Sequence, residues 1–273
     1  MIPIAVSSMF FHEYPIQEIL DLVSQVGADA IEFWVETPFF WLRGCPVEEL
    51  VTAFEDHGNL RRILLHAPIL DLNPCSINPR VAEASLAYAL EAMEIAAHAG
   101  IELVTFHPGR RTVKRRPNAH DIGRFRRYIG VLEQASEEFD VKVSMENMEA
   151  ELNAFFSTPV EVAELLEREP WLHFTLDVAH ALHRKEGDPA AFIDLCAHRL
   201  ENVHLSGRVH GVPHVPPSLD PRTWGILTML RERGYNGSIT LEIEDQAFIH
   251  ELSGEERVVL LMQELAFARD LLQ

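Results

Sequence analysis

Eight short apolar segments alternate with eight longer segments of helical period, and this alternation predicts an α/β protein folded as one (β/α)8 TIM barrel. The length agrees, since such barrels take about 250 residues as one domain and the chain has 273. No linker, charge block or compositional break divides the sequence. We therefore expect a single domain over residues 1–273.

The predicted strands are runs of apolar and β-branched residues, typical of strands buried on both faces. They lie at 2–6, 28–34, 62–66, 101–107, 141–146, 172–177, 200–205 and 238–243. An open doubly wound sheet is the alternative fold, but it places a glycine-rich phosphate loop after its first strand. Here the residues after the first predicted strand read SSMFFHEYP, which favours the closed barrel.

The predicted helices carry start and stop signals at their ends. Thr158 with Pro159, and Asp188 with Pro189, are typical of a cap followed by the first helical residue. Gly27 lies where the first helix should end. The helices are expected near 15–26, 46–56, 79–98, 118–139, 158–168, 188–197, 218–233 and 254–271.

The composition is that of a globular protein with an acidic surface. Hydrophobic residues make up 47%, which is enough for a large core. The formal net charge of −19 argues against broad binding to nucleic acid or anionic membrane, but leaves room for a local basic site. The three cysteines form no CxxC pair, and the sequence shows no leader or membrane-spanning run. We expect a cytoplasmic protein.

Polar side chains lie at or near the carboxyl ends of most predicted strands, where the active sites of such barrels are built. From the second strand to the eighth they are Glu32, His66, His107, Glu146, Asp177, His204 and Glu242, and His180 and His214 lie in the loops that follow. One such residue alone is more often a cap, but this set converges on one face. Mixed imidazole and carboxylate groups suit divalent cations. The sequence therefore predicts a metal site.

Five short motifs occur in a consistent order from the fourth predicted strand onward. They are TFHPG at 105–109, SMEN at 144–147, TLDVAH at 175–180, NVHLS at 202–206 and TLEIED at 240–245. In these motifs the chain resembles the xylose-isomerase-like TIM-barrel superfamily, which includes sugar isomerases and epimerases and the type IV apurinic endonucleases. The resemblance runs over most of the chain, from about the third strand to the eighth.

In the isomerase and epimerase branch, the resemblance implies one Mn²⁺, Co²⁺, Mg²⁺ or Zn²⁺ ion. The matching ligands are Glu146, Asp177, His204 and Glu242. Glu146 and Glu242 would exchange a proton with a ketose through an enediolate, and His180 would contact a substrate hydroxyl. The leading hypothesis is therefore a metal-dependent isomerase or epimerase of a sugar or sugar phosphate.

In the endonuclease branch, the resemblance implies two or three zinc ions and hydrolysis of phosphodiesters in abasic DNA. The matching further ligands are His66, His107, His180 and His214. Val212 stands where that branch has an aspartate, and HAPILDLNP at 66–74 contains no aromatic wedge. Together with the acidic net charge, these departures make hydrolysis of nucleic acid the second hypothesis. A barrel that keeps the metal cluster only for binding or structure is a third.

Two loops contain candidate substrate contacts. Arg110 and Arg111 begin a run of five cations within residues 110–116, which predicts a clamp for phosphate or carboxylate. The alternative for this run is a solvated loop. The Trp34 ring could line the substrate pocket beside Glu32. The alternative is that Trp34 only packs in the protein core.

Overall fold

The computed structural model describes residues 2–184 and 188–273. Eight parallel strands close into a barrel in the order β1-β10-β7-β6-β5-β4-β3-β2. The barrel strands are β1 (Ile4–Ser7), β2 (Ala30–Trp34), β3 (Arg62–His66), β4 (Leu103–Phe106), β5 (Lys142–Glu146), β6 (His173–Asp177), β7 (Leu200–Leu205) and β10 (Ser238–Leu241). The predicted closed (β/α)8 barrel is confirmed.

Each of the eight predicted helices is present, with ends that differ from the prediction by three residues at most. They are α1 (Ile16–Val26), α3 (Val47–Asp56), α4 (Pro79–His98), α5 (Ala119–Phe139), α6 (Pro159–Arg168), α8 (Pro189–Cys196), α9 (Pro221–Glu232) and α10 (Gly254–Leu272). As predicted, the Thr158 side chain caps α6 and that of Asp188 caps α8. None of the helices in the described residues is long and apolar enough to cross a bilayer.

Two single-turn helices and a two-stranded hairpin were not predicted from the sequence. Helices α2 (Pro38–Trp41) and α7 (Val178–Ala181) are single turns, too short for a helical period to show. Strands β8 (Gly207–Val209) and β9 (Val212–Val215) form a hairpin after β7. Its turn, His210-Gly211, has positive φ at both residues but lacks the Asn-Gly or Asp-Gly pair by which such turns are recognised.

The barrel strands turn an apolar face outward, and β5 and β6 turn polar side chains inward. Phe33 on β2 packs edge-on against Phe40 and Phe54, with ring centroids 5.3 and 6.3 Å away. Inside the barrel, Ser144 Oγ lies 2.6 Å from Thr175 Oγ1 in a buried hydrogen bond. Because side chains two residues apart share a face, the next inward residues on β5 and β6 are carboxylates at the barrel mouth.

The loops after β3 and β4 are fastened to each other. Asn73 Oδ1 accepts hydrogen bonds from the N–H groups of Cys75 and Arg110, and Asn73 Nδ2 donates to the Arg110 carbonyl. Gly109 has a φ of +73°, and a Cβ there would lie 2.8 Å from Asn73 Oδ1 and 3.2 Å from the Pro74 ring. The close approach of the two loops therefore requires glycine at this position.

We expect Gly109→Ala to destabilise the protein more than Gly211→Ala does. Both changes force alanine into a positive φ, but a Cβ at Gly211 meets no atom within 4 Å. The difference reports the clash with Asn73 and Pro74, about 1 to 3 kcal/mol. Urea unfolding of the two variants measures this difference in the free energy of unfolding. Equal losses of stability in the two variants would show that the loops after β3 and β4 can move apart without an energetic cost.

Candidate metal centre

Glu146, at the end of β5, is the centre of a cluster of histidines at the carboxyl-terminal mouth of the barrel. Its Oε2 atom lies 3.1 Å from His107 Nε2, 3.5 Å from His66 Nε2 and 3.4 Å from His204 Nδ1. Its Oε1 atom lies 3.0 Å from His180 Nδ1. The carboxylate is buried, so these four rings from different parts of the chain surround a single charge.

Glu242, directly after β10, joins the cluster from the other side. Its Oε2 atom lies 3.2 Å from His204 Nδ1 and 3.6 Å from His214 Nδ1. Asp177 Oδ2 lies 3.9 Å from the same His204 nitrogen. The structure thus brings together all seven ligands that the sequence predicted.

The donor atoms form three groups, each compact enough to hold a metal ion. These groups are His66, His107 and Glu146; Glu146, Asp177 and His204; and Asp177, His180 and His214. Within each group the donor atoms lie within 4.8 Å of one another. Glu146 and Asp177 each belong to two groups, so neighbouring ions would share a carboxylate.

The buried atoms of this centre fit a cation. Among the described residues, four of them have no hydrogen-bond partner: His66 Nε2, Asp177 Oδ2, His204 Nδ1 and Glu242 Oε2. Buried polar atoms nearly always have a partner, and leaving one without costs about 1 to 3 kcal/mol. Nitrogen and oxygen donors left in this way are those that a divalent cation binds.

The pKa shifts of the buried groups also fit a site for a cation. Burial raises the pKa of Glu146, but the surrounding imidazoles, His107 and His204 foremost, outweigh it and hold that pKa well below its usual range. Burial raises the pKa of Asp177 to about 7 despite the opposing effect of His180. Burial lowers the pKa of His180, but Asp177 and Glu146 raise it to about 10. A protonated imidazole and a bound cation are alternative ways of balancing these carboxylates.

Two histidines are held with one nitrogen turned toward the cluster. His66 Nδ1 donates to the Ala67 carbonyl at 2.9 Å, and Trp34 stacks on the ring with centroids 4.1 Å apart, which leaves His66 Nε2 as the donor to a cation. His204 Nε2 donates to the Glu32 carboxylate at 3.0 Å, which leaves its Nδ1 atom. Such outer partners fix the tautomer and orientation of a ligating imidazole.

Glu32 and Trp34, predicted to contact substrate, lie behind these histidines. Glu32 is 1% exposed, and its Oε2 atom accepts hydrogen bonds from His204 Nε2 at 3.0 Å and from Asn202 Nδ2 at 2.9 Å, so its contacts orient His204. Trp34 is 4% exposed and supports His66. Neither side chain lines the cavity beside the cluster.

That cavity of about 420 Å³ adjoins His107 and His180. Arg110, from the predicted anion clamp, lines it, but Arg111 does not. The Arg111 Nε atom lies 3.5 Å from the buried Asp121 carboxylate instead. Of the two predicted clamp residues, the structure therefore places one at the cavity.

The described fold and site can be compared with known proteins. The family model for the xylose isomerase-like TIM barrel matches residues 20–271. The chain belongs to this family. It is 29% identical over its full length to an uncharacterized protein of Methanocaldococcus jannaschii, which it covers completely.

Two further proteins that are similar to this chain have more informative names. The chain is 29% identical over 175 residues to a probable endonuclease 4 of Aquifex aeolicus, an alignment that covers 59% of this chain and 60% of the other. The crystal structure of a D-tagatose 3-epimerase-like protein is similar with a TM-score of 0.79 and 22% identity, covering 99% of this chain and 98% of that one. At 22% identity, the likeness to the D-tagatose 3-epimerase-like protein shows the barrel fold alone.

Two asparagines of this xylose isomerase-like barrel were missed by sequence reasoning. Asn147 Nδ2 donates to the Asp177 carbonyl, its Oδ1 accepts from the Asp177 N–H, and its own carbonyl accepts from His180 Nδ1. Asn202 lies two residues before His204, so both side chains point into the barrel. The two-residue spacing from His204 was the sequence signal that could have identified Asn202 as a residue of the site. For Asn147 the signal was its position directly after the predicted ligand Glu146 in SMEN.

We expect Glu32→Gln to weaken divalent metal binding by about 10- to 100-fold, the usual cost of losing an outer partner of a ligating histidine. The neutral amide removes the charge that His204 Nε2 donates to, while nearly preserving the shape. Competition with a chromophoric chelator measures the affinity, and the absorption spectrum of bound Co²⁺ reports the ligand geometry.

Glu201→Gln is the matched control for Glu32→Gln. Glu201 lies at the opposite end of the barrel and pairs with Lys142 at 3.1 Å and His173 at 3.3 Å, far from any of the ligand groups. An affinity and a Co²⁺ spectrum that stay unchanged in Glu32→Gln would show that His204 needs no orienting carboxylate.

Proposed function

We propose that the protein is a divalent-metal-dependent isomerase or epimerase of a sugar or sugar phosphate. One observation carries the proposal: two buried glutamates face each other across one nitrogen. His204 Nδ1 lies 3.4 Å from Glu146 Oε2 and 3.2 Å from Glu242 Oε2. Paired carboxylates at one reacting centre are the groups that proton removal and return require.

The residues proposed to hold the ion are Glu146, Asp177, His204 and Glu242. A divalent cation supplies charge that polarises the carbonyl and hydroxyl oxygens of a ketose and acidifies the neighbouring C–H bond. Three of the four proposed ligands offer buried oxygen or nitrogen atoms that no other group satisfies among the described residues.

The chain's own residues would then move the proton. One glutamate carboxylate removes a proton from the carbon next to the carbonyl, and the electron pair of the C–H bond forms the enediolate. The other glutamate, which carries a proton at the start, gives that proton to the opposite face and so inverts that carbon. The first glutamate then releases its proton to solvent and the second takes one up, which restores both groups. His180 lines the cavity and contacts Glu146, which suits it to bind a substrate hydroxyl.

The likeness to a D-tagatose 3-epimerase-like protein supports this proposal, because it extends over nearly the whole chain. The cavity beside His107 and His180 also supports it, because its volume of about 420 Å³ is in the range of small-molecule sites.

We expect Glu146→Gln and Glu242→Gln each to lower, by about 10²- to 10⁴-fold, the exchange with solvent of the C–H hydrogen in the epimer that the replaced glutamate deprotonates. Glutamine keeps the size of the side chain but cannot accept the proton. Mass spectrometry of a panel of ketoses and ketose phosphates in D₂O measures the exchange. Glu201→Gln should exchange as the wild type does, and exchange of both epimers at the wild-type rate in either active-site variant would contradict the two-glutamate mechanism.

Phosphodiester hydrolysis is the second candidate, and one observation favours it. His66, His107 and Glu146 form a donor group beside the four-ligand set, with Glu146 common to both. Two ions a few Å apart are the usual machinery for cleaving phosphate esters. The partial likeness to a probable endonuclease 4 supports the same candidate.

Metal stoichiometry and His107→Ala separate the two candidates. For the isomerase we expect about one ion per chain by elemental analysis, with no cleavage of abasic DNA or bis(4-nitrophenyl) phosphate. His107→Ala should then retain exchange within about tenfold, as expected for a residue outside the four-ligand set. Two or three zinc ions per chain, with cleavage that disappears in His107→Ala, would instead assign the protein as a hydrolase.

A further inference from the structure

The cavity beside the metal centre extends well past the residues that would perform proton transfer. His107 and His180 form its inner end. Its walls come from the loops after β3, β4 and β5 and from helices α4 and α5. Apart from the loop after β5, these elements are different from those that carry Glu146 and Glu242.

Part of the cavity lining is apolar, and the rest is polar or charged. Ile69, Leu70, Leu72, Ala89 and Met148 all line the cavity. Sugar hydroxyls need polar partners, and burying one without a hydrogen bond costs about 1 to 3 kcal/mol. This part of the cavity therefore suits an apolar group better than the hydroxyl-bearing carbons of a sugar.

The apolar wall is held in place before any ligand arrives. The buried Glu36 carboxylate accepts the N–H groups of Ile69 at 2.7 Å and Leu70 at 2.8 Å. Further along the same loop, the Asn73 N–H donates to Ser85 Oγ at 2.8 Å. A cavity that is already shaped loses little entropy when it binds a group of matching form.

Tyr128, on α5, brings a polar atom to this wall. Its side chain is 3% exposed and lines the cavity. A tyrosine hydroxyl at a cavity wall is suited to form a hydrogen bond with a ligand. Burial raises the pKa of Tyr128 well above its usual range, so the hydroxyl is a neutral donor.

The charges along the cavity disfavour a strongly anionic group. Arg110 and, where no metal ion is bound, protonated His180 are the cations among its described lining residues, whereas Asp71, Glu149 and Glu151 are carboxylates. Glu149 is paired with Arg208, and the other two carboxylates lie in no ion pair among the described residues. A multiply charged phosphate would meet more repulsion than attraction here.

We propose that this cavity is a second subsite for the substrate and takes an uncharged apolar or aromatic substituent that carries a hydrogen-bond acceptor for Tyr128. The substrate is then a sugar conjugate and not a free monosaccharide. The inference rests on the proposed function, since the reacting sugar carbons would lie at the metal centre and the substituent beyond His107 and His180.

Paired glycosides test the subsite. For a panel of hexoses, binding of the phenyl glycoside and the methyl glycoside to the metal-loaded protein is measured by isothermal titration calorimetry. We expect the phenyl member to bind at least about tenfold more tightly for one or more sugars, because a buried ring removes considerable apolar area from water. Equal affinity of the two members for every sugar, or no binding of either, would overturn the proposal.

Variants locate the effect. Leu70 lines the cavity yet is 53% exposed, so Leu70→Asn should fold normally and lower the phenyl preference severalfold. Ile77 lies on the same loop, is 60% exposed and does not line the cavity, so Ile77→Asn should retain the preference. Ala89→Phe should occupy the apolar part of the cavity and abolish the preference for phenyl over methyl glycosides. The affinity for methyl glycosides should stay unchanged. A preference that survives Leu70→Asn and Ala89→Phe alike would place the ring elsewhere.

Tyr128→Phe removes only the hydroxyl. We expect this variant to weaken binding of 4-nitrophenyl glycosides by about fivefold, which is the effect of one hydrogen bond. Binding of phenyl glycosides should stay unchanged. Equal affinity of the variant and the wild type for the 4-nitrophenyl probe would overturn the assigned donor.

The subsite and the proposed reaction fail in different ways. Hydrogen exchange into free ketoses, with no phenyl preference in any glycoside pair, would overturn the subsite and leave the reaction standing. A phenyl preference that Ala89→Phe abolishes, in a protein that exchanges no substrate hydrogen, would support the subsite and overturn the reaction.

Discussion

The structure depends on the compensation of buried carboxylates by imidazoles at the mouth of the barrel. Glu32, Glu146, Asp177 and Glu242 are each at most 4% exposed. Burying ionised carboxylates without partners would be prohibitively unfavourable. Histidine suits the task because its nitrogen can either carry a proton or bind a cation, so the same atoms balance the charge in both states. The remaining polar contacts of the site determine which nitrogen is turned inward.

The period of the strands builds this arrangement in two layers. On β5, β6 and β7, a polar side chain is followed two residues later by a predicted ligand: Ser144 and Glu146, Thr175 and Asp177, Asn202 and His204. The lower layer is joined by hydrogen bonds, from Ser144 to Thr175 and from Thr240 to Asn202. The ligands therefore stand on a polar floor whose own groups are satisfied, which limits the directions in which they can relax.

The fold and the set of strand-end residues could be predicted because both follow from short periodic patterns. Strands buried on two faces read as apolar runs, and a closed barrel brings the ends of those runs together whatever their separation in sequence. The roles of Glu32 and Trp34 could not be predicted in this way. A side chain at the end of a strand can either face the substrate or support a neighbouring histidine. The outcome depends on how deep its Cβ atom lies in the barrel and on the orientation of the histidine ring, and no local sequence pattern encodes either. Tyr128 was missed because a helix residue that lines a cavity has the same period as one packed in the core.

The basic run after β4 shows how a sequence pattern can combine two causes. Asp121 is buried as the third residue of α5, where its carboxylate and the Asn118 side chain form a capping box. Arg111 and Arg124 both pair with this carboxylate, so part of the positive charge near the run balances a buried helix cap. Arg110 differs, because Asn73 holds its backbone while its side chain lines the cavity. A count of cations along the loop therefore overstates the charge available to a ligand. Any selectivity for anions at this site would depend on one guanidinium set among several carboxylates.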